Sequence, residues 1–316
     1  MKPPPASDAP SARSRLARRS ALLTWVWAPL AAGAGVVLQH EQPVIHSVVV
    51  ANATLEVQFA PGLKSSVHNL ALAWVRRSGS AIAGYFGRFP LPHVELLIEP
   101  VPGRGVQAGA SYAEPSPLLK IRLGRESTAE HFTEDWILVH EMVHLAIPQV
   151  PPAQQWLHEG IATYVGALAQ GRAGWLRASD VWHAWMRQMP RGQPQSGDLG
   201  LDRTPTWGRT YWGGALFALL ADVQMRQHGS TSRGLQQALQ GVLDAGGDYR
   251  VAWPLGKILA TADAAVGQTT LIDLYDRMKD RAVSTDLAAL WRDLGVTDGP
   301  LRDDAPLAAV RRAILS

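Results

Sequence analysis

The sequence predicts an α+β protein, a small mixed β-sheet subdomain followed by a mainly helical one. Three observations carry this. Short runs rich in β-branched residues gather between about residues 44 and 125, with one helical stretch among them. From Thr133 to the C-terminus apolar residues recur at helical spacing, broken by the Gly-, Pro- and Asp-bearing stretch Met189–Thr210. With 316 residues, 47% of them hydrophobic and 18% charged, the chain is long and apolar enough to bury a proper core.

Taken in order, the first forty residues read as targeting sequence. A Pro/Ala/Ser-rich basic stretch ends in Arg18-Arg19, and the apolar run Ala21–Leu38 follows. As a helix those eighteen residues span about 27 Å, borderline for a bilayer. Pro29, Gly33 and Gly35 weaken the span, and Ala32-Gly33-Ala34 offers a small-residue cleavage pattern. A signal peptide and an uncleaved membrane anchor both fit, so the protein is expected to be exported, either periplasmic or anchored and facing the periplasm or exterior. Val44–Val50, Leu55–Phe59 and Val94–Ile98 then read as strands. Lys64–Phe86 reads as an amphipathic helix closed by Gly87 and Pro90. Gly105–Tyr112 and Leu118–Leu123 read as a strand pair around Pro115 and Pro117. The expected organisation is a tail with signal peptide or anchor over 1–40, a mixed α/β subdomain with an edge strand over 41–130, and a helical subdomain over 131–316. No internal repeat is visible.

Composition excludes several chemistries. The chain has no cysteine, which removes disulfides, iron–sulfur clusters, thiolate metal sites and cysteine nucleophiles. The formal charge is +3, but residues 1–20 alone sum to +4, leaving the remainder near −1. No global field draws nucleic acid to the folded part.

The chemistry-bearing segment is His140-Glu141-Met142-Val143-His144. It lies in Asp135–Ala146, whose apolar residues suit a buried helix. Residues four apart share a helix face, so both imidazoles can address one ion, while the intervening glutamate serves the attacking water. A catalytic zinc needs a third protein ligand. Gly and His are missing at the third and sixth positions after His144, where Ile147 and Val150 stand, which excludes the metzincin pattern. A proline-rich connection instead leads to a second helix from about Gln155. Its Glu159 lies fifteen residues after His144 and is the last glutamate of the chain. His158 competes as ligand, though its side chain points about 100° away from that of Glu159 on a helix.

The segment Trp156-Leu157-His158-Glu159-Gly160-Ile161-Ala162-Thr163-Tyr164 behind this motif resembles the gluzincin clan of zinc metallopeptidases, in particular the glycyl aminopeptidase family and related bacterial proteins. Tyr211-Trp212-Gly213-Gly214-Ala215-Leu216-Phe217 extends the likeness, which covers roughly residues 80–245. It implies a zincin-like fold with zinc in the cleft between the subdomains, one Zn2+ per chain held by His140, His144 and Glu159, and Glu141 as general base. It also implies Tyr211 as donor to the oxyanion, and a peptide or protein substrate. The Gly-x-Met-Glu-Asn motif of aminopeptidase N relatives, their large N-terminal β domain and the PDZ module are absent. Glu114 is the one acid near the expected edge strand. Arg209 reads as a surface residue, Trp182 and Trp185 as a packing stripe, His228 as the end of a helix, and Asp135, Asp180 and Asp198 as caps and turns. A non-catalytic, membrane-tethered, zinc-stabilised interaction module is the alternative. An intact Glu141 argues against it.

Overall fold

The computed structural model describes residues 44–316, so the apolar run Ala21–Leu38 and its targeting role lie outside the described residues. Among the described residues, no helix is long and apolar enough to cross a membrane.

Alternation and β-branching produce five strands: β1 (Ile45–Val50), β2 (Ala53–Phe59), β3 (His93–Val101), β4 (Val106–Tyr112) and β5 (Leu118–Gly124). They form one mixed sheet in the order β1-β2-β3-β5-β4. The β2–β3 and β3–β5 pairs are parallel, and the outer pairs β1–β2 and β4–β5 are antiparallel. Leu55, Val57, Val94, Leu96, Ile98, Leu119, Ile121 and Leu123 project into the core from the central strands. Their period of two puts these residues on one face, which needs a helical layer to cover it.

Helix α1 (Ser65–Phe86) makes the parallel β2-to-β3 connection. Val67, Ala71, Trp74, Val75, Ile82 and Tyr85 form its buried stripe, and Gly87, at a φ of 75°, ends it in the left-handed conformation. The remaining helices are α2 (Ala129–Thr133), α3 (Ile137–His144), α4 (Gln155–Arg172), α5 (Ala178–Gln188), α6 (Gly214–His228), α7 (Leu235–Asp244), α8 (Leu255–Val266), α9 (Thr270–Met278), α10 (Leu287–Leu294) and α11 (Ala308–Leu315). A π-helical turn, Gly208–Gly213, leads directly into α6. Residues 44–316 form one compact unit, with α3 and α4 packed between α1 and the later helices.

Trp182 and Trp185 are buried beside each other, and Tyr164 stacks on Trp185, so the tryptophan stripe is core packing. His228 is the last residue of α6. Asp180 pairs with Arg177 in the first turn of α5, and Asp198 accepts from the Gln195 amide in a turn. Arg209 corrects its expectation. It is 2% exposed, because the π-helical turn points its guanidinium inward to donate to the Gly192 carbonyl.

Candidate metal and catalytic site

Helix α3 is shorter than the apolar pattern suggested. Asp135 stops it at the front by accepting from the Ile137 and Leu138 amides, at 3.1 and 3.2 Å, and from the Trp74 indole of α1 at 3.1 Å. That fixes α3 against α1. Both histidines then lie on one buried face, 5% and 4% exposed.

Helix α4 returns antiparallel across a connection pinned by backbone bonds from Gln149 to Val251 and from Trp253 to Gln149. Its first turn is anchored by Asp202, which accepts from the Trp156 indole, the Tyr275 hydroxyl and the Gln154 amide. Glu159 is thereby brought to the two histidines. His140 Nε2 lies 3.0 Å and His144 Nε2 3.7 Å from Glu159 Oε2. One ligating atom from each of the three residues falls within 4.8 Å of the others.

Glu141 and Tyr211 border the same cleft, together with Gly109 and Ser111 of edge strand β4. The Tyr211 ring stacks towards His140, with centroids 6.1 Å apart. Glu114 lies exposed beyond the end of β4 and is not among the residues that line the cleft. His158, the rival ligand, turns instead to the Pro148 carbonyl and to the far side of His144.

Electrostatics separate the two glutamates. Burial pushes the Glu141 carboxyl up to about 7, with the nearby Glu159 carboxylate adding to the effect against His140. Glu159 is pushed up by burial too, but His144 and His140 outweigh this and hold it near 2. Burial, with His140 and His158 close by, takes the His144 imidazole down to about 3, so it is neutral. For His140 the Glu159 and Glu141 carboxylates more than offset burial and leave it raised. Burial first, then the Glu159 carboxylate, raises the Tyr211 phenol above its usual range, so it is a donor at neutral pH.

The donor set fits a metal. Two imidazole nitrogens and a carboxylate oxygen converge without any thiolate, which is a nitrogen/oxygen set that suits zinc. The three residues leave room on the cleft side, where Glu141 and Tyr211 stand.

No protein-family model matches the chain, and no curated protein is significantly similar to it in sequence. Solved structures are similar in shape. An aminopeptidase N family protein from Idiomarina loihiensis aligns with a TM-score of 0.61 at 14% identity, over 80% of this chain and 49% of that one. The chain shares the fold of that protein. A two-domain M1 zinc metallopeptidase bound to L-arginine aligns at 0.51 and 14% identity, over 77% of this chain and 53% of that one. An M1 zinc metallopeptidase from Deinococcus radiodurans aligns at 0.50 and 16%, over 77% and 52%. The chain spans about half the length of these structures. The likeness is one of fold.

Gly109 and Tyr249 are among the cleft residues that no sequence motif marks. Gly109 carries no functional atom, yet a Cβ there would lie 2.7 Å from Glu141 Cγ and 2.6 Å from Ile137 Cγ2. Its missing side chain lets β4 lie against the glutamate. Tyr249 lines the cleft from the turn before α8, and its hydroxyl donates to the Ser111 carbonyl at 3.0 Å. It lies ninety residues beyond Glu159 in no local motif, so no sequence signal pointed to it.

Proposed function

We propose that this protein is a zinc-dependent peptidase, with His140, His144 and Glu159 holding the ion, Glu141 as general base and Tyr211 as oxyanion donor. The observation that carries the reading is the convergence of the three ligating atoms within 4.8 Å at a cleft that also presents a carboxylate not needed for ligation. A bound zinc ion supplies Lewis acidity and makes water acidic enough to attack near neutral pH.

The chain's own residues do the rest. Glu141, held near 7 by burial, takes the proton of the attacking water and passes it to the departing amine. Tyr211, kept protonated, donates its hydroxyl to the oxygen on which negative charge develops. Strand β4 is a sheet edge bordering the cleft, suited to pairing with the backbone of an extended substrate. The partner is therefore a peptide or protein. The basic leader and apolar run support an exported protein, acting in the periplasm or tethered to the membrane.

The test separates metal from turnover. Purified protein is expected to carry about one zinc per chain, lost in His140→Ala, His144→Ala and Glu159→Ala. Glu141→Gln is expected to keep the zinc while cleavage of a peptide library falls by about a hundredfold or more. Undiminished cleavage in Glu141→Gln sinks the mechanism. Zinc-loaded wild type that cuts nothing in the library supports the non-catalytic module instead.

A further inference from the structure

His158 precedes Glu159 on α4, is 3% exposed, and has both ring nitrogens engaged. Its Nε2 lies 2.6 Å from the Pro148 carbonyl oxygen. A carbonyl only accepts, so Nε2 carries a hydrogen. Its Nδ1 lies 3.3 Å from Nδ1 of His144, with the two rings only 16° from parallel. One hydrogen sits between these two nitrogens, and which ring owns it decides what the other side of His144 offers.

We propose that His158 is a positioning residue, accepting from Nδ1–H of His144 and so presenting the Nε2 lone pair of His144 to the metal. This rests on reading His140, His144 and Glu159 as the metal site. With its hydrogen on Nε2, a neutral His158 has a lone pair at Nδ1, and His144 must then be the donor between them. The His144 hydrogen resides on Nδ1, and Nε2 faces Glu159 Oε2 at 3.7 Å with its lone pair free. The opposite arrangement would put an N–H on Nε2 and turn it against ligation. The hydrogen on the far nitrogen of a ligating imidazole selects both tautomer and ring orientation.

The relay runs from the Pro148 carbonyl through His158 to His144, and its origin is fixed. Pro148 precedes Gln149, whose backbone is bonded to Val251 and Trp253. The Tyr249 ring lies 5.8 Å from that of His158. His140 contrasts with this, since its buried Nδ1 has no partner among the described residues. The pair His158-Glu159 thus serves the ion twice, once through a carboxylate and once through a neighbouring histidine.

Zinc affinity, measured by competition with a chelator, tests the assignment in His158→Asn, His158→Gln and His158→Ala. The asparagine side-chain oxygen takes the place of imidazole Nδ1, so it still accepts from His144 while giving up Pro148. Glutamine reaches the Nε2 position, keeps a donor for Pro148 and places no acceptor against His144. His158→Asn is expected within about threefold of wild type, and His158→Gln and His158→Ala lower by about 10–100-fold. The reverse order, or equal affinities throughout, overturns the proposal and leaves His158 as a brace for Pro148. Nitrogen-15 spectra of the metal-free wild type need neither zinc nor variants. A hydrogen on His144 Nδ1 is expected, and one on Nε2 overturns the assignment. Wild type that binds no zinc removes the metal-site reading, while the spectra still decide the tautomer.

Discussion

Two carboxylates in one cleft meet opposite fates, and the cause lies in their neighbours. Glu159 sits against two imidazoles and is held near 2, whereas Glu141 has burial and a like charge and rises to about 7. The first suits a ligand and the second a base. In the proposed role Tyr211 acts through its hydroxyl alone, so Tyr211→Phe is expected to reduce turnover by about 10²–10³ with zinc content and melting temperature nearly unchanged. A drop in melting temperature without a specific loss of turnover would make it a packing residue. The ion-pair cluster also predicts a pH dependence in chelated protein. His140 is raised above 6.5, so its contribution is complete below that pH and fades as the pH climbs through the raised value. Glu159 falls from 4.5 to about 2, so its contribution is present above 4.5 and is lost as the pH drops towards 2. Together they stabilise most between pH 4.5 and 6.5. The melting temperature of chelated wild type is expected to exceed that of chelated Glu159→Gln by more at about pH 5.5 than at about pH 8.5. Equal margins at both would dissolve the pairing.

At the scale of elements, missing side chains place the functional ones. Helix α4 and the start of α6 cross backbone to backbone, where a Cβ on Gly160 would lie 2.2 Å from the Gly214 carbonyl carbon and one on Gly214 would lie 2.1 Å from the Trp156 carbonyl oxygen. This crossing sets Tyr211, three residues before Gly214, against the helix that carries Glu159. Gly160→Ala must spread the two elements, and is expected to cost about 1–3 kcal/mol in urea unfolding. It is also expected to lower turnover more than zinc binding. Gly109→Ala acts on the other wall. Its Cβ would press on Glu141, so catalysis is expected to fall with zinc retained. Unaltered turnover in Gly109→Ala would show that β4 yields freely and does not seat the glutamate.

For the whole molecule, the candidate metal site joins α3, which packs under the sheet and α1, to α4, which packs on the later helices. Zinc that binds the folded chain and not the unfolded one adds stability by mass action, about 2.7 kcal/mol at a hundred times its dissociation constant. Chelation is therefore expected to lower the melting temperature of wild type and leave that of His144→Ala unmoved. A calorimetric scan of both proteins with and without chelator checks this, and an equal shift in the two would place the bound ion elsewhere.

The sequence alone determined what local chemistry and periodicity govern. The strands, α1 up to Gly87, the histidines four apart on α3 and the restart of helix at Gln155 all follow from spacing and caps, because those interactions join near neighbours in the chain. The resemblance around Glu159 and Tyr211 named the remaining candidates without showing how they meet. Tertiary structure decided the rest. Asp135 caps α3 through its near neighbours, but its bond to Trp74, sixty-one residues away, fixes that helix against α1. Arg209 went inward because its turn is π-helical, and Tyr249 entered the cleft through a pairing of segments a hundred residues apart. The angle between successive helix positions sets His158 apart from Glu159 but says nothing of the carbonyl and imidazole that His158 meets. Such contacts depend on how whole elements approach, and glycines with no side chain to read, Gly109 and Gly160 among them, set that approach.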